Sequence, residues 1–308
     1  MRKGRGGSKV AVILAKAGIH LSATQMVGKW IPASAGMTNN IYSARRESSA
    51  TSALKCFCCF LVAMLFALPA QAECGGVVAE GGARLWRAAA QEHGAVAITF
   101  LGHASFLVES PEGVRIVTDY NGMIGAPVTP DIVTMNNAHP THYTDVIDPG
   151  IKYVLRGWDP AGKVAAHRVE YRDVRVHNVP TNLRDFGATR YNGNSIFVFE
   201  LAGLCIAHLG HLHHTLTEAH LAELGAIDIV MVPVDGAWTL NQEDMIAVLT
   251  QIKPAIVIPM HVFTAATLDR FLARAAERYQ IRHMAEPRML VSCADLPSEP
   301  EIRVLPGR

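Results

Sequence analysis

From Val96 onward, apolar and polar positions alternate in short blocks. Val96–Leu101, Ser105–Glu109 and Val114–Thr118 carry the two-residue period of half-buried strands, with the turn Pro111-Glu-Gly113 before the third. Asp131–Met135, Lys152–Leu155, Val164–Tyr171 and Val174–Val176 predict further strands, and Asn194–Glu200 with Leu204–His208 predicts a hairpin across Ala202-Gly203. The texture then changes. Thr217–Leu224 starts like a capped helix, with Thr217 as cap and Glu218 in the first turn. Asp228–Val234 is a buried-type strand, Asn241–Ile252 a helix, Ala255–Met260 a strand and Ala265–Arg278 an amphipathic helix; 82–93 predicts one more helix. Strands first, then strand-helix-strand-helix, suits two packed sheets with helices outside, in one domain over 73–308.

The front of the chain has a different pattern. Lys55 precedes the apolar run Cys56–Leu68, which ends in the small-x-small sequence Ala70-Gln-Ala72. A basic flank, a short apolar run and such an end form a secretory signal peptide, placed at 51–72. The run is shorter than the ~20 residues a membrane span requires. Glu73 stands before Cys74 where a lipoprotein signal has a small residue, so no lipid anchor is expected. Residues 1–50 show no clean period and read as a non-native or disordered leader. Export permits a disulfide, and Cys74 with Cys293 would tie the ends of the mature chain. The expected location is periplasmic or secreted, with no stable membrane association after signal cleavage.

Charge sharpens this division. Residues 1–55 hold nine of the 28 Lys and Arg and one of the 27 acids, leaving the remainder at a net of −7. An acidic body argues against a nucleic-acid partner, which requires clustered Lys and Arg. A small-molecule substrate is expected instead, and oligomeric state is not legible.

The candidate chemistry lies in histidines at strand ends. Asp131–Met135 runs into a polar loop bearing His139 and His142, three residues apart; His103, His177, His208, His211 and His261 follow other predicted strands. A lone strand-end histidine is ordinarily a hydrogen-bonded surface residue. Several on separate strands suit a metal site assembled from loops at one rim of a sheet.

Thr99–Glu109, Ile116–Asp119, the loop at 131–143, His208–His214, Asp228–Gly236 and Ile258–His261 resemble, in order, the motifs of the metallo-β-lactamase-fold hydrolases. The resemblance is closest to the branch with lactonase-like and phosphodiesterase-like members and covers roughly 96–265. It implies an α/β fold, a four-layer αββα sandwich with metal at one edge. The departures from its motifs are specific. The His-x-His-x-Asp-His motif reads Asn137-Ala-His139-Pro-Thr141-His142, and the Gly-Asp whose carboxylate bridges two metals reads Gly210-His211. Without those carboxylates, neutral imidazoles do not offset four positive charges, so one ion is expected rather than two.

The resemblance implies zinc, with manganese or iron as alternatives, held among His139, His142, His177, His211 and His261. His177 takes the third motif and His261 the last; His211 stands where the bridging group was. Asp145 replaces Thr141 as the candidate base, and His103 is the other catalytic candidate. Asn137, Thr141, Asp119, His208, His213, His214 and Arg190 are the expected surroundings of the pocket, with Asp119 bracing the metal loop. Arg190 sits in the Gly- and Asn-rich stretch 187–194, read as a loop that closes over the metal or merely enters a hairpin. Trp238 walls the pocket or packs. The implied function is an exported metal-dependent hydrolase of a small ester, lactone or phosphodiester, working through a metal-activated water. The alternative is a non-catalytic metal- or ligand-binding relative of the same fold.

Overall fold

A computed structural model describes residues 94–122, 128–185 and 187–307, with the backbone alone for Asp185. The stretches expected as leader (1–50), signal peptide (51–72) and helix (82–93), and Cys74, lie outside the described residues. The strands run β1 (Val96–Gly102), β2 (Ser105–Glu109), β3 (Arg115–Val117), β4 (Ile132–Met135), β5 (Tyr153–Arg156), β6 (Arg168–Tyr171) and β7 (Val174–Asp185). They continue as β8 (Ala188–Leu201), β9 (Leu204–His208), β10 (Ile229–Pro233), β11 (Ile256–Met260), β12 (Gln280–His283), β13 (Arg288–Val291) and β14 (Glu301–Val304). The helices are α1 (Glu218–Leu224), α2 (Gln242–Ile252) and α3 (Ala265–Ala275).

Two sheets form from these strands. One has six strands in the order β13-β1-β2-β3-β4-β5, the other eight in the order β12-β14-β11-β10-β9-β8-β7-β6. Alternation along each strand decides what faces what. Ile98, Phe106, Val108 and Ile116 of the smaller sheet meet Phe197, Phe199, Ile206, Met231 and Ile258 of the larger, an apolar layer closed to water. Burying each such side chain contributes about 1.5–3 kcal/mol. The intervening residues of the larger sheet, Val198, Ala207, Val230 and Val257, turn outward onto Leu224, Met245, Leu249 and Phe271 of the three helices. On the smaller sheet, Leu107, Val117, Val133 and Met135 face outward under Tyr143, Ile147 and Ile151 of the segment after β4 and Trp158. The architecture is the expected α/β sandwich. Among the described residues, its layer over the smaller sheet is a loop rather than a helix.

Most predicted elements fall within two residues of their observed limits, because binary patterning and caps act locally. Thr217 caps α1, Asn241 caps α2 and Thr264 caps α3, each accepting a backbone N–H in the first turn. The long hairpin is the exception. β7 does not stop at Val176 but runs to Asp185, and β8 begins at Ala188, so most of the stretch expected as a loop closing over the metal or entering a hairpin is paired strand. Polar Asn178 and Pro180 interrupt the hydrophobic alternation there without interrupting the ladder, which is carried by the backbone. β12, β13 and β14 were not predicted; β13 crosses back to pair with β1 in the smaller sheet. The expected Cys74–Cys293 bridge involves Cys74, which lies outside the described residues; the Cys293 thiol donates to the Ala202 carbonyl at 3.4 Å.

Candidate metal centre

β9, β10 and β11 run parallel, so their C-terminal ends share one rim of the larger sheet. The turn from β1 to β2 and the loop after β4 reach the same place from the smaller sheet. Here His103, His142 and His261 converge, each offering a ring nitrogen within 4.8 Å of the others. Two strand ends are stitched together by backbone: the His261 N–H donates to the His103 carbonyl at 2.7 Å. Both residues adopt left-handed φ angles, +54° at His103 and +58° at His261, as does Asp119 at +46°. Such angles are costly for residues with a Cβ, and they cluster where a fold is held to a functional geometry.

Two buried carboxylates aim the rings. Asp119 Oδ2 lies 2.7 Å from His142 Nδ1 and Asp235 Oδ2 lies 3.0 Å from His261 Nδ1. A carboxylate only accepts here, so each imidazole carries its proton on Nδ1 and presents Nε2 as a lone pair. Asp119 also accepts from the Asn136 amide. Asp235 is held by the amides of Ala237, Trp238 and Thr239 and by the Thr239 hydroxyl. Burial alone would raise both carboxyls. The imidazoles and donors around them outweigh it, so both stay below the usual carboxylate range.

The Nε2 atoms of His103 and His142 are buried with no hydrogen-bond partner among the described residues. Leaving such groups unpaired costs about 1–3 kcal/mol each. Three imidazole nitrogens converging in this way fit a divalent cation of the zinc type. Burial, followed by the neighbouring His261 and His142, pushes His103 down to about 4, so it offers a neutral ring at physiological pH.

The remaining expected residues distribute around this point. His211 stands beside the three, its ring 5.0 Å from those of both His142 and His261, but it is not one of the converging group. His139 is exposed at the rim, with its ring 5.8 Å from His142 and its Nδ1 on the Thr141 hydroxyl at 2.8 Å. Asn137 is buried and accepts the His139 N–H, holding the loop rather than facing the cluster. His208 is fully buried; its Nε2 donates to the Ala104 carbonyl and its Nδ1 accepts from Gly210, so both ring nitrogens are used in the core. His213 touches His211 at 2.8 Å, whereas His214 instead accepts the Asn182 amide.

Three expected residues are placed elsewhere. His177 sits mid-strand in β7, on the helix side of the larger sheet, against Glu200 and the Glu223 carbonyl; its strand continues past the predicted end. Asp145 is 78% exposed and paired with Arg156, away from the cluster. Arg190 lies on the exposed part of β8 opposite Leu183. Asp235 carried no role in the sequence reading. Its signal was an acid directly after an apolar strand and before Gly236, one strand ahead of His261. His103 was expected near the chemistry but not as a member of the metal group. Trp238 is exposed, on the turn that wraps Asp235.

Comparison with known proteins accords with this geometry. The model of the beta-lactamase superfamily domain matches residues 97–261. A UPF0173 metal-dependent hydrolase of Carboxydothermus hydrogenoformans is 28% identical over 192 residues, spanning 54% of this chain and 84% of that protein. One from Pyrococcus furiosus is 26% identical over 214 residues, spanning 60% and 95%. Among solved structures, a proposed zinc-dependent hydrolase of the metallo-beta-lactamase superfamily from Thermotoga maritima is similar with a TM-score of 0.53. It is 28% identical and covers 69% of this chain and 100% of its own. A proposed metal-dependent hydrolase from Parabacteroides distasonis shares the fold at TM-score 0.51 and 15% identity, over 70% and 95% of the two chains. With more than half its length matched and the histidine rim in place between two sheets, the chain belongs to the metallo-β-lactamase-fold branch of the beta-lactamase superfamily.

Proposed function

We propose that the protein is an exported hydrolase of a small ester, lactone or phosphodiester, working with one zinc ion held by His103, His142 and His261. The observation that carries this reading is the convergence of three imidazoles, two of them with buried, unpartnered Nε2 atoms. When bound, the ion supplies a water acidified toward neutral pH and a Lewis acid for a substrate oxygen. The chain does the rest. Asp119 and Asp235 hold the ligating tautomers of His142 and His261. His139, exposed at the rim and with its pKa lowered by partial desolvation and then by the neighbouring His142 and His261, is placed to pass a proton to solvent. The Phe263 ring, 4.9 Å from that of His261 and 55% exposed, offers an apolar wall for an acyl or aryl group.

A panel of 4-nitrophenyl acetate, a homoserine lactone and bis(4-nitrophenyl) phosphate tests the proposal. Turnover of at least one class is expected, abolished by a chelator and by His142→Ala, with one zinc per chain by metal analysis. Two equivalents would sink the single-ion assignment. Tight zinc binding with no turnover of any class would favour the non-catalytic relative.

A further inference from the structure

Around His211 the donors and acceptors can be assigned one by one. The Arg184 backbone N–H donates to His213 Nδ1 at 2.8 Å. An amide N–H can only donate, so His213 Nδ1 holds a lone pair and the ring proton of His213 sits on Nε2. That Nε2 faces His211 Nδ1 at 2.8 Å and therefore donates to it. His211 Nδ1 is then an acceptor, and the proton of His211 sits on Nε2. The opposite direction would leave His213 with no ring proton at all, an imidazolate that does not form near neutral pH. The relay from Arg184 to His213 to His211 thus runs one way.

The ring is also held in place. The His211 N–H donates to Asn194 Oδ1 at 2.9 Å. Gly210 before it has φ +57°, and a Cβ there would stand 2.5 Å from Asn136. Edge-on to His142 and His261, His211 has no acceptor for its Nε2–H among the described residues.

We infer that His211 is a tautomer-locked hydrogen-bond donor to the substrate oxygen that gains negative charge, and not a metal ligand. A protonated Nε2 has no lone pair for a cation, whereas an N–H aimed at a developing oxyanion stabilises it without giving up its proton. The β7–β8 hairpin supplies the amide that sets this tautomer, so a strand pair outside the metal group configures the site. Its place is further fixed by Arg184, whose guanidinium donates to the Thr239 carbonyl beside Asp235. The catalytic half of the inference rests on the hydrolase reading above; the tautomer and the non-ligand assignment do not.

The test combines metal binding, spectroscopy and kinetics on the full chain. Zinc affinity of His211→Ala and His213→Phe is measured by competition with a chromogenic chelator. Long-range proton–nitrogen spectra of the zinc-loaded parent assign the His211 tautomer. The expected result is a zinc Kd within about threefold of the parent, a protonated Nε2 on His211, and kcat lowered by about 10²–10³ in His211→Ala with KM little changed. His213→Phe, which keeps the imidazole of His211 but removes its lock, is expected to lower kcat with zinc affinity retained. A Kd weakened tenfold or more in His211→Ala, or a metal-shifted unprotonated Nε2, would overturn the inference. A parent that binds zinc, shows Nε2–H on His211 and hydrolyses nothing would overturn the hydrolase reading and with it the donor role, and leave the tautomer and the non-ligand assignment standing.

Discussion

At the scale of single residues, the site depends on which nitrogen of each imidazole holds the proton. Asp119 makes that choice for His142, and its effect can be isolated. Asp119→Asn, similar in size but weaker as an acceptor, is expected to lower zinc affinity by about 10–100-fold in a chelator competition. Acid should act through the imidazoles first. Burial and neighbouring histidines push His103 to about 4 and His211 to about 2. Burial and Arg184 push His213 to about 4, in each case from 6.5 in the unfolded chain. Because the folded values are depressed, the unfolded state binds protons more readily once pH falls below 6.5. Stability of the metal-free protein is therefore expected to be level above pH 6.5 and to fall between about 6.5 and 4. The depressed Asp119 and Asp235 add no slope in that window, since their contribution is lost only as pH drops through still lower values. Urea midpoints across pH check this; a flat profile from 7 to 4 would contradict it.

Among the elements, the hairpin joining β8 and β9 shows how much local sequence can decide. Leu201 pairs with Leu204, and both turn residues, Ala202 and Gly203, have positive φ, +51° and +74°. That two-residue turn favours Asn-Gly, because Asn tolerates the left-handed region better than Ala. Ala202→Asn is expected to raise stability by about 0.5–1 kcal/mol, read as a shift in urea midpoint at constant slope. The turn, the Thr217 cap of α1 and the strands from β1 to β4 were legible because their causes lie within a few residues. The β7–β8 hairpin was not. Its outer half carries Thr181, Asn182, Arg190 and Asn192, residues that say nothing of a strand until a partner backbone lies alongside. His177 was misplaced for the same reason.

For the whole molecule, binding and folding are linked. A site drawn from both sheets exists only in the folded chain, so zinc bound there is expected to stabilise it by mass action, about 2.7 kcal/mol at 100 times Kd. In a domain of this size that corresponds to a rise in Tm of about 5–10 °C, reversed by a chelator, and calorimetry with and without zinc reads it directly. His142→Ala is expected to abolish the rise. Export is tested by N-terminal sequencing of protein recovered outside the cytoplasm, where cleavage after Ala72 gives a chain beginning at Glu73. A full-length cytoplasmic product would refute export while leaving the site untouched.

By itself the sequence determined the two-residue and helical periods, the Thr217 cap, the turn at Ala202-Gly203 and the concentration of histidines at strand ends. Each follows from backbone sterics or hydrophobic alternation over short distances. Only the tertiary structure decided which histidines meet. His103 and His261 become neighbours because two sheets close on one apolar layer, and that closure brings their loops to a single rim. It also set His211 beside the converging group rather than in it. The proton on His211 is set by a backbone amide on a hairpin that reaches the site only through folding, so no spacing along the chain records it.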